Sequence, residues 1–475
     1  MIITIVIVLY IILTGLAFLG IIFYGARPSK SLSWLLVILF LPFFGVLFYV
    51  LFGINRRKFK IFKLKQTKYR KLYDTTHMDQ CGEATLNNFD SKKRTRLARL
   101  LSNNNQFLPY SDNTIEVLQD GQLTFDTIFS AISNAKEFIH IQYYILEKGK
   151  LMDKLLEILE EKTKEGVEVR MLYDAVGSFD WKRKSIRRFE KIGVKIYPSM
   201  PLRFGSLLFS FNYRNHRKIV IVDGNIGFTG GFNLTDKYIE PISKMGVWHD
   251  THVKLEGPVV ESLHKVFIKD YYFASKEDIL LDSKYIPQLK EKGDSTIQIV
   301  ASGPDSDYAA IMQQYIMLIN LAEDKLCIGN PYFIPSASVL NALVIASLSG
   351  VKVQILLPQQ SDSVMARWSM RSYFEEMLKA GMEIYLYPDT FLHSKIVLID
   401  GEIMSIGSGN FDNRSFDHNF ETNVLIYDSK KTQELQDSFD QDTVKAHKLD
   451  LETFENRSSK EKLFEGLARF FSPLL

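Results

Sequence analysis

The sequence predicts an α/β protein of two pseudo-symmetric halves with mixed central sheets, preceded by an N-terminal two-helix transmembrane hairpin. Three observations predict it. One chemical phrase occurs twice, 177 residues apart. Short β-branched apolar runs alternate with helical stretches over the roughly 400 residues that follow the N-terminus, enough for two domain-sized units. The chain also begins with two long uncharged runs, Ile2–Tyr24 and Leu32–Phe52.

The two uncharged runs hold 23 and 21 residues. At about 1.5 Å per residue, each can cross a hydrocarbon core of roughly 30 Å. The connector, residues 25–31, is too short for anything but a tight hairpin. Met1 is followed at once by apolar residues, without the basic leading region of a signal peptide. Pro42 and Gly45 in the second run are tolerable in a membrane helix. Residues 53–72 then carry nine bases (Arg56, Arg57, Lys58, Lys60, Lys63, Lys65, Lys68, Arg70 and Lys71) and no acid, against Arg27 and Lys30 in the connector. The excess of positive charge assigns this side, and both chain termini, to the cytoplasm.

Charge is unevenly spread. The whole chain carries +3, but after residue 72 there are 47 bases against 55 acids, a net of −8. The basic segment suits an anionic leaflet, at about 1 kcal/mol per charge near the surface. The acidic remainder argues against a nucleic-acid partner, which wants a broad basic surface. Two cysteines, Cys81 and Cys327, suit a reducing compartment and suggest no disulfide.

The expected division is a transmembrane hairpin over 1–55, a basic juxtamembrane segment and linker over 56–110, and two halves over 111–290 and 291–475. Repeat-like phrases mark the halves. Ala135–Ile145 parallels Ala322–Ile334, Gly166–Arg170 parallels Gly350–Gln354, and Ile192–Pro198 parallels Ala380–Leu386. Helical stretches such as Leu151–Lys164 and Ser336–Ser349 separate the strand runs, the order of an α/β sheet.

The repeated phrase reads His216, Lys218, Asp223, Gly230, Asn233 in the first copy and His393, Lys395, Asp400, Gly407, Asn410 in the second. The offsets from His are +2, +7, +14 and +17 in both. A lone His-x-Lys at a strand start is usually structural; two copies with matched offsets imply units whose copies meet. Residues 216–223 and 393–400 read as buried strands ending in Asp-Gly turns, and 226–229 and 403–406 as return strands. Histidine and lysine two apart share a strand face. Asp223 and Asp400, at an odd offset, hold the turn rather than touch substrate. Small residues after the return strands let backbone approach a ligand, and Asn233 and Asn410 can donate to a phosphate oxygen. Two histidines, two lysines and two asparagines can bind a phosphodiester, attack it and protonate the leaving group. Zinc is disfavoured, because lysines flank the histidines and the cysteines lack ligand spacing. A serine hydrolase is disfavoured by the absence of a G-x-S-x-G elbow.

These residues resemble the HKD motifs of the phospholipase D superfamily. Asn212–Lys218, Trp248–His252, Asn410–Ser415 and Ser472–Leu475 resemble bacterial cardiolipin synthases in particular, over essentially the whole chain. The resemblance implies phospholipase D-like halves and a catalytic set of His216, Lys218, Asp223, His393, Lys395 and Asp400. It implies phosphate binding by Asn233 and Asn410, and no metal or other cofactor. It also implies an acidic residue about thirty positions after each histidine that orients the imidazole: Asp250, 34 after His216, and Glu421, 28 after His393. By the same analogy His216 is the nucleophile and His393 the acid. The implied reaction moves a phosphatidyl group between two phosphatidylglycerol molecules, giving cardiolipin and glycerol. The alternatives are hydrolysis, as in a phospholipase D, or another acceptor, as in a phosphatidylserine synthase. A nuclease fits poorly with the acidic body and membrane segment, and a non-enzymatic scaffold has no use for two complete motifs. Two apolar segments, Met200–Phe211 and the helically spaced Leu463, Phe464, Leu467, Phe470 and Phe471, read as core or as interfacial elements.

Overall fold

The computed structural model describes residues 2–24, 28–41, 43–53, 76–201, 212–241, 245–279, 283–285 and 292–472. Arg27, the basic segment from Arg56 to Lys71, residues 202–211 and the terminal 473–475 lie outside them.

Ile2–Tyr24 forms one helix, long and apolar enough to cross a membrane. The second uncharged run is not the single helix expected. It divides into helices Pro28–Phe40 and Phe44–Phe48 and a wider-wound turn, Tyr49–Gly53. The break falls beside Pro42 in the sequence, a residue with no amide hydrogen for a helical bond, and Phe43 takes a φ of 65°. The segments still pack on one another: the Tyr10 and Phe43 rings lie 4.5 Å apart.

The first half supplies β1 (Tyr110–Leu118), β2 (Phe138–Tyr143), β3 (Glu168–Asp174), β4 (Lys195–Ser199), β5 (Ile219–Val222), β6 (Ile226–Gly230) and β7 (His252–Glu256). The second supplies β8 (Ser295–Ser302), β9 (Lys325–Gly329), β10 (Lys352–Pro358), β11 (Glu383–Tyr387), β12 (Ile396–Ile399), β13 (Ile403–Gly407), β14 (Glu421–Ile426) and the short β15 (His447–Lys448). They join in one sheet, ordered β4-β3-β2-β5-β6-β7-β1-β8-β14-β13-β12-β9-β10-β11-β15. Read outward from the antiparallel β1–β8 pair, the order of one half repeats that of the other, with β15 added at the edge. Pairing is parallel along β2-β3-β4 and β9-β10-β11 and antiparallel between β5 and β7 and between β12 and β14. The sheet is therefore mixed.

The motif strands, Ile-Val-Ile-Val and Ile-Val-Leu-Ile, are buried on both faces, which is why they read as unbroken apolar runs. Alternation sorts them. Ile219, Ile221, Ile396 and Leu398 enter a core shared by the halves. Val220 and Val222 enter the first half's own core, and Val397 and Ile399 the second's. Truncating such a residue to alanine costs about 2–5 kcal/mol. The strands are shorter than 216–223 and 393–400, because the ladder begins only after histidine and lysine, at Ile219 and Ile396.

Two further differences bear on function. Residues 76–105, read as linker, form helices Thr76–Asn87 and Lys92–Asn105. Leu97, Ala98 and Leu101 of the second helix enter the core of the second half. The C-terminal helix Ser459–Phe471 turns its buried side toward helix Val364–Lys379 through Ala468 and Glu465, the latter bonded to Arg371 and Arg457. Its apolar residues Leu463 and Leu467 face outward, 60% and 54% exposed.

Candidate active site

The two motifs meet, each held by the other half through the same backbone device. The His216 amide donates to the Phe420 carbonyl at 2.9 Å, and the Phe420 amide to the Arg214 carbonyl at 2.9 Å. Symmetrically, the His393 amide donates to the His249 carbonyl at 2.6 Å, and the His249 amide to the Phe391 carbonyl at 3.1 Å. Phe420 and His249 each precede an acidic residue, so a carboxylate arrives beside each imidazole. Nδ1 of His216 donates to Glu421 Oε2 at 2.9 Å, and Nδ1 of His393 to Asp250 Oδ2 at 2.5 Å.

This corrects the pairing implied by sequence distance. Asp250 does not orient His216, nor Glu421 His393; each carboxylate serves the histidine of the opposite half. The reason is topological. β7 and β14 lie two strands from the motif strands of their own halves, while the segments leading into them cross the interface. With Nδ1–H committed to a carboxylate, a neutral imidazole presents the lone pair of Nε2.

Asp223 and Asp400 are brought to neither imidazole, which corrects their inclusion in a catalytic set. Asp223 accepts from the backbone amides of Lys136, Glu137 and Phe138 at 2.7–2.9 Å. Asp400 accepts from Glu323, Asp324 and Lys325 and from the Lys93 ammonium. Both take positive φ, 50° and 53°, in the turns after the motif strands. They anchor the starts of β2 and β9.

Lys218 and Lys395 are buried and fold back on their own motifs. Lys218 Nζ donates to the His216 carbonyl at 2.5 Å; Lys395 Nζ donates to the His393 carbonyl and lies 2.9 Å from His393 Nδ1. Burial disfavours their charge and, for Lys218, the neighbouring Lys395 adds to it; Lys218 falls to about 7 and Lys395 to about 8. The histidines are also pushed down, first by burial. For His216 the Glu421 carboxylate opposes the shift, whereas for His393 the Lys395 charge adds to burial and takes it to about 3. The Asp250 and Glu421 carboxyls lie below their usual range despite burial, because the facing lysine or histidine and the hydrogen bonds outweigh it. Asn233 spends its carbonyl oxygen on the Ile145 amide at 3.2 Å, and its side chain also hydrogen-bonds the Tyr238 hydroxyl. Asn410 Oδ1 is buried without a hydrogen-bond partner among the described residues.

Sequence reading missed the residues that hold the carboxylates. Ser408, Ser415 and Asn419 donate to Glu421 at 2.5, 2.9 and 3.2 Å. Tyr238 and the Thr251 amide donate to Asp250 at 3.2 and 2.8 Å. A signal was present: Tyr238 and Ser415 each stand 22 residues after their motif histidine. Gly231 and Ser408 also occupy one repeat position. A Cβ at Gly231 would fall on the Asp250 carboxylate, while Ser408 uses its hydroxyl to reach Glu421. Tyr144 stands edge-on to His216 with ring centres 4.7 Å apart, and Tyr332 edge-on to His393 at 6.5 Å.

Two imidazoles from duplicated halves, each oriented by a carboxylate of the opposite half and flanked by a lysine, define a phospholipase D-like protein. The family model described as "Cardiolipin synthase, PLD-like domain" matches residues 128–279 and 315–443, and a model described as "Phospholipase_D-nuclease N-terminal" matches residues 2–53. The chain is 38% identical over 452 residues to a cardiolipin synthase of Listeria monocytogenes serotype 4a, covering 94% of each chain. It is 40% identical over 453 residues to a cardiolipin synthase of Oceanobacillus iheyensis, again covering 94% of each. The chain belongs to the cardiolipin synthase family. A solved structure of phosphatidylserine synthase from Haemophilus influenzae Rd KW20 shares the fold, with a TM-score of 0.61 at 16% identity over 81% of this chain and 100% of that one.

Proposed function

We propose that the protein is a phosphatidyltransferase that makes cardiolipin from two molecules of phosphatidylglycerol. The observation that carries the reading is the crosswise pair of carboxylate-held imidazoles with a lysine beside each. Lys218, Lys395, Asn233 and Asn410 hold the phosphate and balance the charge that grows on its oxygens. Nε2 of His216 attacks phosphorus while the bond to the glycerol headgroup breaks, and His393 gives that leaving oxygen its proton. A hydroxyl of the second phosphatidylglycerol then loses its proton to His393 and attacks phosphorus. The P–N bond breaks, releasing cardiolipin and restoring His216. Asp250 and Glu421 are positioning residues for His393 and His216. The test is incubation of the purified full chain with phosphatidylglycerol alone. Cardiolipin with glycerol is expected; phosphatidic acid alone would replace the transferase with a hydrolase.

The N-terminal segments are read as a two-pass hairpin, with the catalytic halves, divided at about residue 290, in the cytoplasm. The charge count over 53–72 supports this. The outward Leu463 and Leu467 are read as contacts with the same bilayer, from which a diacyl substrate reaches the cleft. Cysteine at Ser29 should react with an impermeant reagent on intact cells, and cysteine at the exposed Val444 should not, in a background lacking Cys81 and Cys327. Labelling at 444 would reverse the orientation. No nucleic acid is expected as a partner.

A further inference from the structure

Away from the imidazoles, the first half carries a surface that the reaction does not use. The stretch Phe179–Lys191 contains six bases, Lys182, Arg183, Lys184, Arg187, Arg188 and Lys191, against Asp180 and Glu190. All six bases are exposed. Arg188 pairs with Asp153 at 3.1 Å, and the other five have no ion pair among the described residues. This concentration stands out on a body whose net charge after residue 72 is −8. Phe179, at the head of the stretch, is 81% exposed.

Beneath the bases, between helices Lys150–Lys164 and Arg183–Lys191, lies a cavity of about 260 Å³. Lys148, Lys184 and Arg188 stand at it together with Asp153, the partner of Arg188, and Met152, Leu156 and Trp181 form apolar lining. Trp181 is 3% exposed, and its indole N–H is buried without a hydrogen-bond partner among the described residues. A cavity with three cations against one carboxylate and an apolar wall fits an anionic headgroup attached to something apolar.

The position is as telling as the composition. Ser178, directly before Phe179, accepts from the Leu146 amide and donates to the Tyr144 carbonyl, both at 3.0 Å. Tyr144 is the ring set edge-on to His216. Asp174, the last residue of β3, accepts from the Asn215 amide at 2.9 Å, one residue before that histidine. The basic surface therefore starts at the histidine end of the motif strands, opposite the end held by Asp223.

We propose that this cavity and the basic helix beside it form a non-catalytic site for the headgroup of an anionic phospholipid in the bilayer, with Phe179 entering the acyl region. A phosphodiester charge is met by Lys148 and Lys184, beside the Arg188–Asp153 pair, and Arg187 and Lys191 add attraction toward the anionic surface. The site would hold the first half against the bilayer beside the cleft, whatever lipid the imidazoles process.

The test uses the full chain in nanodiscs, with Cys81 and Cys327 replaced and an environment-sensitive fluorophore on Phe179→Cys. Phosphatidylserine is the anionic probe, and brominated acyl chains are the quencher. A blue shift and quenching are expected in phosphatidylcholine discs containing phosphatidylserine, and neither in phosphatidylcholine alone. Lys184→Gln with Arg187→Gln should lose the response, while Arg187→Lys keeps it. A fluorophore at the exposed Gln433, beside the Asp400 turn, should stay unquenched throughout. Equal signals in both disc types, no signal in either, or a response that survives in the double variant would overturn the proposal. So would loss of quenching on adding soluble inorganic phosphate, since the site then takes the free anion. None of these readouts depends on turnover, so they fail or succeed independently of the transferase reading.

Discussion

His216 and His393 sit in the same backbone frame, yet their carboxylates are held differently. Glu421, the longer acid, is surrounded by short donors: Ser408, Ser415 and Asn419. Asp250, shorter by one methylene, is reached by the longer Tyr238. The repeat has exchanged parts while keeping the sum of their lengths, so each Nδ1 still meets a carboxylate oxygen. The residues after the histidines have diverged further. Arg217 donates to Asp270 at 2.7 Å and to the carbonyls of Ser302 and Glu421, binding the first motif to the second half, whereas the Ser394 hydroxyl at the matching position accepts from the Thr251 hydroxyl at 3.1 Å. What the duplication preserves is the placement of two nitrogens. What it leaves free is how each is supported.

The electrostatic difference has a mechanistic consequence. His393 is held near 3, because burial and the Lys395 charge both disfavour its protonated form. A phosphodiester anion between the lysines offsets that charge and so favours the protonated, acidic form of His393. His216, lowered by burial but opposed by Glu421, stays neutral and nucleophilic at neutral pH.

The largest expected effects fall on the histidines, and they separate the two halves. His216→Ala removes the nucleophile and should form no phosphatidyl adduct from any substrate. His393→Ala should lose roughly 10²–10⁴-fold in turnover, the usual worth of a positioned acid. It should still form the adduct from a substrate whose leaving group needs no proton. Peptide mapping under alkaline handling, which spares the acid-labile P–N bond, should find that adduct on His216. An adduct on His393 would exchange the roles.

The carboxylates sharpen the comparison next. Asp250→Asn should lower turnover roughly 10²–10⁴-fold by spoiling His393, while leaving adduct formation from the activated substrate nearly intact. Glu421→Gln should suppress adduct formation itself. Pairing within each half predicts the reverse, so single-turnover measurements on the two variants decide between them.

Much of this was legible in the sequence, and the failures share a cause. Matched offsets located both motif strands, both return strands and the turn role of Asp223 and Asp400, because strand alternation is local. The alternation of Ile219–Val222 and Ile396–Ile399 between two cores follows from the same rule. The crosswise carboxylates were not legible, because nothing in a spacing of 34 or 28 residues says which half a strand leader will cross to. Helix Lys92–Asn105 was missed because only Leu97, Ala98 and Leu101 of its polar sequence are fully buried. The C-terminal helix had the spacing of a core helix and buries the opposite side, through ion pairs of Glu465 that its own sequence does not announce.

The lysines give a smaller effect, visible in pH dependence. Both are held below the ordinary lysine value, so raising the pH through about 7 to 8 removes their charge before substrate binds. The profile of kcat/KM, which reports the free enzyme, should therefore have an alkaline limb in that range. Bound phosphate stabilises the ammonium forms, so the limb of kcat should lie higher. Because Lys218 and Lys395 influence one another, the limb belongs to the pair. A flat kcat/KM from pH 7 to 9 in mixed micelles would show that the lysines keep their charge without substrate.

The smallest predicted effects test the exchanged parts directly. Tyr238→Phe and Ser415→Ala each remove one hydroxyl donor from a carboxylate, and one such bond is worth about 1 kcal/mol, or roughly fivefold. Each loss should appear in a different step. Tyr238→Phe loosens Asp250 and should slow the step that needs protonated His393, an effect that shrinks with an activated leaving group. Ser415→Ala loosens Glu421, which keeps Ser408 and Asn419, and should slow adduct formation equally for both kinds of substrate. If the two variants respond alike to the leaving group, the halves are not specialised, and the difference between their clamps is drift within a symmetric site.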